Sequence, residues 1–309
     1  WPRGCQAGSV MAMAAFGDPS KYLEDFRRML TVDQVSASLK PADQPFGANV
    51  GTDPEHPYLH KYRLIADSSE QEKFNLAASL QTATEELIKN IIGQVLEQFP
   101  SKNLCLAGGV TLNCVAVGKI KKWFPDIENV YVTPTPHDGG LPIGACQFVW
   151  HHELNNPRID WSDNFKAYLG RTYTLDEVND TIKNYQDVEV EEGVSVKKVV
   201  ELLAEQNIVS VFGGGSESGR RALGNRSILA DPRSENMKDL INEKVKHRQW
   251  YRPFAPSILR EEVSEWFERD DDSPYMNVVM NFKEDKKSEV PAVVHKDGTA
   301  RIQTVTEKD

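Results

Sequence analysis

The 309-residue sequence has no long hydrophobic run. Its longest nearly apolar stretch, Val10 to Phe16, is far short of the ~20 residues that cross a bilayer, and no basic-then-apolar leader opens the chain. Both absences point away from a membrane protein. Cysteine is scarce: Cys5, Cys105, Cys114 and Cys146 form no C-x-x-C pair, which predicts reduced core thiols rather than a zinc cage or disulfide frame, and a cytoplasmic setting. Positive charge is also in deficit, 36 Lys and Arg against 46 Asp and Glu, for a net −10. A chain-wide basic face, and with it general nucleic-acid binding, is therefore not expected. There are no internal repeats. The remainder, 39% hydrophobic and 27% charged, is an ordinary globular composition, and the length predicts about two domains.

Apolar residues recur at helical spacing from Ser69 to Phe99, predicting one long amphipathic helix that Pro100 ends. Asn103 to Ala107 then read as a buried strand, Gly108-Gly109 as a turn, and Val110 to Trp123 as a helix. Val130 to Val132 form a further strand and Gly139 to Trp150 a further helix, so this part alternates in the α/β manner. The polar, aperiodic stretch His151 to Tyr173 is the best boundary, dividing the chain into residues 1–165 and 166–309. Beyond it the pattern predicts a helix over Val196 to Gln206 capped by Ser195, and a strand over Ile208 to Phe212. It also predicts a helix over Glu235 to His247 capped by Ser234, and strands over Val278 to Phe282 and Ala300 to Val305. The charge-rich runs Asp270 to Asp272 and Lys283 to Lys287 read as solvated loops.

Several clusters could carry chemistry. Gly108-Gly109, between strand and helix, lets backbone N–H groups approach an anion, with Asn113 one helical turn later; a bare chain reversal explains the glycines equally well. Asp138, in Pro136-His137-Asp138-Gly139-Gly140, falls at the carboxyl end of a strand, as a metal ligand or as the cap of the following helix. His56 and His60 have i, i+4 spacing but are flanked by Pro54 and Pro57, which argues against a helical metal pair. The most informative stretch runs from Arg220 to Arg252, with nine Arg or Lys against four acids. Charge this concentrated suits a small, dense anion gripped by arginine forks. A solvated helix face would account for Lys238, Lys244 and Arg248 but not for Arg221 and Arg226. A nucleic-acid patch using Trp250 and Tyr251 is the third reading.

The run from Gly219-Arg220-Arg221 through Asn225-Arg226-Ser227 to Asp231-Pro232-Arg233, followed by Lys246-His247-Arg248 and Arg252-Pro253-Phe254-Ala255-Pro256-Ser257, resembles the signature of the NodU/CmcH family of O-carbamoyltransferases. Leu106-Ala107-Gly108-Gly109-Val110, Pro136 to Gly140, and Pro291 to Gln303 resemble it too. The resemblance implies the rear half of an actin-like, sugar-kinase-like ATPase domain followed by an incomplete YrdC-like domain, a fragment truncated at both ends. It implies that carbamoyl phosphate and ATP form carbamoyl adenylate, whose carbamoyl group passes to a hydroxyl of a small metabolite with help from a divalent metal, iron being expected and magnesium accompanying ATP. By motif, Arg221, Lys246, Arg252 and Arg301 fall on catalytic phosphate contacts, Gly108, Gly109, Asn113, Asn225, Arg226 and His295 on substrate or nucleotide contacts, and Asp138 on the metal. The expected partners are small molecules, not nucleic acid or membrane, with oligomerisation left open. Three features depart from the pattern: Arg220 stands where the family has Pro, the family's metal-binding histidine pair has no counterpart, and the segment expected after Arg301-Ile302-Gln303, which brings further phosphate contacts in the family, is not found. Rival readings are a phosphate-binding regulatory module and an actin-like ATPase or kinase.

Overall fold

A helix of 29 residues, Glu70–Gln98, organises the first part of the computed structural model, which describes residues 7–32, 39–40, 57–158 and 167–306. Its start is fixed by Ser69, whose side chain accepts the Glu72 N–H, satisfying one of the N–H groups that a helix end leaves open. Short helices Ala7–Met13 and Leu23–Met29 pack along it. The predicted strand–turn–helix unit is present as strand Asn103–Leu106, a 3-10 turn Gly109–Leu112 and helix Cys114–Trp123, capped by Asn113. Strand Asn129–Val132 returns parallel to the first, with Leu106 opposite Val132. Both strands end at the same edge, so the turns that follow them become neighbours. Ile92, Val117, Ile120 and Val132 form the core between sheet and helices.

The second part is built from small sheets. Val209–Phe212 pairs antiparallel with Arg226–Leu229, Val279–Asn281 antiparallel with Thr299–Arg301, and Ser257–Leu259 parallel with Gln303–Val305. Val263, Phe267, Met280, Phe282 and Ile302 make its main core. The result is a mixed α/β architecture.

Some expectations are corrected. The helix expected over Glu235 to His247 is a single α-turn, Met237–Leu240, continued as a π-helix to Val245, and Ser234 does not cap it. The strand expected over Ala300 to Val305 is two strands that join different sheets. Among the described cysteines only Cys114 is buried; Cys105 and Cys146 are exposed free thiols. Cys5, His56 and residues 159–166 of the expected boundary lie outside the described residues.

The acidic run Asp270 to Asp272 is a loop with Asp270 and Asp272 exposed, as expected, but Asp271 is not solvated. The Asp271 carboxylate pairs with Lys121 at 2.9 Å and with Arg269 at 3.3 Å, joining the two parts of the chain. Arg269 also donates to the Gly118 carbonyl at 2.6 Å, and Asn277 donates to the Val132 carbonyl at 2.8 Å. Gly118 makes the approach possible: a Cβ there would lie 2.4 Å from the Val279 carbonyl oxygen, closer than any packed contact allows.

Candidate active site

The signature loop is held from beneath by Glu217. One of its carboxylate oxygens accepts the N–H groups of Leu223, Asn225 and Arg226 at 2.8, 3.0 and 3.2 Å. Burial works to raise its pKa, but these N–H bonds prevail and hold the carboxyl below its ordinary range. The Leu223 carbonyl accepts from Tyr168 and Gln303, each at 2.9 Å. Glu217 escaped the sequence reading; an acid inside a Gly-Ser loop just before a basic signature was its one visible signal.

The pinned loop projects Arg221 toward the first part of the chain. Its Nη2 donates to the Leu112 carbonyl at 3.2 Å, while its buried Nε has no partner. Arg252 and Arg301 lie near it, and Arg248 lies near those two in turn. Burial first, then Arg301, pulls the Arg221 guanidinium down to about 10, with Arg252 and Arg220 adding to the effect and Cys114 opposing it. Arg248 falls to about 10 through burial and then Arg252 and Arg301, and Arg252 is lowered chiefly by burial. Among the described residues no carboxylate pairs with any of the four, and Arg301 Nε is also buried without a partner. Partly buried cations that repel one another, two of them with an unpartnered Nε, are an arrangement whose chemistry suits a compact polyanion.

Arg248, assigned in one reading to a solvated face, thus belongs to this cluster. Asn242, 2% exposed, accepts from Arg248 Nε at 2.7 Å and donates to the Arg252 carbonyl at 3.0 Å, tying the turn together. Lys238 and Lys244 pair with Asp239 and Glu243 on the surface. Lys246 is exposed at the end of the π-helix and is not among the charges acting on Arg248. Arg226 turns the other way: it donates to the Gly213 carbonyl at 2.5 Å and stacks on Phe212, 3.7 Å from the ring centroid. Asn225 donates to the Gly215 carbonyl at 2.7 Å. Both side chains brace the glycine loop. Tyr251 is buried against Phe74 and so is not free to stack on bases, whereas Trp250, edge-on to Phe16, stays 48% exposed.

The turns of the first part adjoin this cluster. Gly108, at φ 100° and so in a region that favours glycine, donates to the Pro136 carbonyl at 2.7 Å. The backbone of Gly219 presses on Pro134 so closely that a Cβ would lie 2.2 Å from its carbonyl oxygen. Gly108-Gly109, Pro136 to Gly140 and the arginine loop are therefore contiguous. Thr135 Oγ1 and His137 Nδ1 are buried there without partners. Asn113, expected at the nucleotide, caps its helix and exchanges hydrogen bonds with Gln81.

Asp138 opens a 3-10 turn with its side chain exposed and caps neither that turn nor the helix Leu141–Phe148. No group of three or more His, Cys, Asp or Glu able to hold a metal occurs among the described residues, so the site does not fit a metal from these residues alone. His60 is exposed. His295 Nδ1 meets Asp297 at 3.4 Å, leaving its buried Nε2 unpartnered. Burial of Asp297 is outweighed by hydrogen bonds from His295 and Thr299, which hold its carboxyl at about 2. No helix among the described residues is long and apolar enough to cross a membrane.

Two family models match the chain in order, Carbamoyltransferase N-terminus over residues 3–147 and Carbamoyltransferase C-terminus over residues 200–309. An uncharacterized protein of Synechocystis is 38% identical over 96% of this chain and 53% of its own length. Nodulation protein NolO of Bradyrhizobium diazoefficiens is 33% identical over 97% and 54%. The 3'-hydroxymethylcephem-O-carbamoyltransferase of Streptomyces clavuligerus is 30% identical over 99% and 54%. The chain spans about half the length of the curated relatives it matches. Both halves of the carbamoyltransferase pattern thus run through one chain and meet at the arginine cluster, and the chain belongs to the carbamoyltransferase family.

Proposed function

We propose that the protein carrying this chain is an ATP-dependent O-carbamoyltransferase. The observation that carries this reading is the cluster of Arg221, Arg248, Arg252 and Arg301, short of counter-charge, with the buried Nε groups of Arg221 and Arg301 unpartnered. Carbamoyl phosphate is a dianion, and ATP carries about four negative charges, so their encounter in a low-dielectric cleft costs several kcal/mol unless fixed cations offset it. In the proposed sequence water cleaves the carbonyl–phosphate linkage of carbamoyl phosphate, giving carbamate, inorganic phosphate and a proton. A carbamate oxygen attacks the α-phosphorus of ATP, expelling pyrophosphate and leaving carbamoyl adenylate. A hydroxyl of the acceptor then takes the carbamoyl group, releasing AMP and a proton. The arginines bind and orient the two phosphate chains, turning an encounter into a positioned reaction.

In this reading the first part resembles an actin-like nucleotide domain and performs transfer, while the second resembles a YrdC-like domain and forms the adenylate. Lys246 supplies a further point charge when substrates are bound, and the unpartnered Nε2 of His295 offers a polar contact. A metal at Asp138 requires ligands other than the described residues, and no step is assigned to it. The acceptor is a small hydroxylated metabolite; one relative's name specifies a hydroxymethylcephem, a statement about that protein.

The test is exchange of labelled pyrophosphate into ATP. Exchange should depend on carbamoyl phosphate and fall by orders of magnitude in Arg252→Ala, which removes a charge-assisted phosphate contact. Exchange that persists without carbamoyl phosphate would sink the reading, and so would turnover of ATP to ADP with no exchange, the pattern of an ordinary ATPase or kinase.

A further inference from the structure

Arg252 is held at both ends. Its carbonyl accepts from Asn242 within the second part, whereas its Nη1 donates to Ser9 Oγ at 2.6 Å, across 243 positions of sequence. Ser9 is fully buried in the helix Ala7–Met13, whose Ala12 and Met13 share one core cluster with Tyr251. On the same helix Gly8 lies close to the guanidinium: a Cβ there would be 3.9 Å from Arg252 Nη2. A hydroxyl is chemically apt here. A carboxylate would fix the guanidinium equally well but neutralise it, whereas a neutral acceptor occupies one of its five donors and leaves the charge and the others for an anion. Arg221 is treated alike, being held by the neutral Leu112 carbonyl. The first part of the chain therefore orients two of the four cations without cancelling them.

We infer that Ser9 is a positioning residue of the phosphate site, acting through Arg252, so that the site is complete only when the helix Ala7–Met13 is docked on the second part. This rests on the reading of the arginine cluster as a polyanion site. The two claims fail differently. Calorimetric titration of the folded protein with inorganic pyrophosphate tests the cluster first: no binding by the wild type overturns that reading and this inference with it. Given binding, Ser9→Ala should weaken it about tenfold, the scale of one hydrogen bond to a charged group. Arg252→Ala should weaken it more, and adding Ser9→Ala to Arg252→Ala should change nothing further, because a residue that acts through another has no effect in its absence. Should Ser9→Ala fail to fold, Ser9→Cys keeps the volume with a poorer acceptor and enters the same cycle. Unchanged affinity in the single variant, or an equal additional loss in the double variant, overturns the inference; a merely structural Ser9 would produce one of these.

Discussion

Replacing Arg221 with Met should make the ligand-free protein more stable while removing its capacity to bind polyphosphate. Burial and the neighbouring arginines lower the guanidinium from its ordinary value to about 10, and at about 1.4 kcal/mol per pH unit the charged form costs the folded state roughly 3 kcal/mol before screening. The side chain is not wholly enclosed, so solvent leaves on the order of 1–2 kcal/mol of that. Against it stands the hydrogen bond to the Leu112 carbonyl at 3.2 Å, about 1 kcal/mol. Methionine keeps the aliphatic stem and loses the charge, so the balance is a gain of up to about 1 kcal/mol, read as a shift in urea midpoint at neutral pH. The sign with pH is fixed: a cation whose folded pKa is depressed destabilises fully below that value and ceases to as pH rises through it, so the gain should shrink above pH 10. Pyrophosphate should reverse the order, stabilising the wild type by mass action and not the variant. Destabilisation of Arg221→Met by more than ~1 kcal/mol in the absence of ligand would refute the reasoning, since a paired structural arginine behaves that way.

Gly118→Ala should destabilise by about 2 kcal/mol or more, because its Cβ would enter the Val279 carbonyl and part the two halves; a circular-dichroism melt reads this, and an unchanged midpoint would show that the seam yields. Asp297→Asn should lower stability at neutral pH, and the difference from wild type should vanish as pH falls from about 4 toward 2, since a depressed carboxyl stabilises only while ionised. Urea midpoints across that range check it, and a pH-independent difference would locate the effect elsewhere.

Much of the fold was legible wherever periodicity was sustained. The long helix behind Ser69, the Gly108 turn and the Ser195-capped helix Val196–Ala204 all follow from local signals that tertiary contacts did not contest. The helix expected after Ser234 shows the limit. Its apolar spacing fits an α-helix, but the turn tied by Asn242 to Arg248 and Arg252 draws the chain into a π-helix and then a bend, with His247 at φ 46°. Asp271 was misread for the same reason: its partner Lys121 is 150 positions away, and a charge run looks alike whether solvated or paired. In the site, residue type and density identified the arginines, but not which ones converge. Arg226 and Arg221 are near in sequence, yet one braces the glycine loop and the other faces the cluster. That choice is set by the hairpin that puts Arg226 opposite Phe212, a pairing with no local signature.

The same contacts explain how a chain of net charge −10 can maintain four repelling arginines in one place. The excess of acids is not used near them. Asp270 and Asp272 pair with Arg260, Asp271 pairs with Arg269 and, across the seam, with Lys121, and Glu217 gives its charge to backbone N–H groups rather than to a side chain. Carboxylates thus stabilise the scaffold that carries the cluster while neutral oxygens of Ser9, Leu112 and Asn242 orient its members. Separating the two tasks keeps the cluster electrostatically unsatisfied, which is the condition under which an incoming polyanion gains the most. It also means that the deficit of positive charge in the whole sequence says little about the site: what matters is where the acids are excluded.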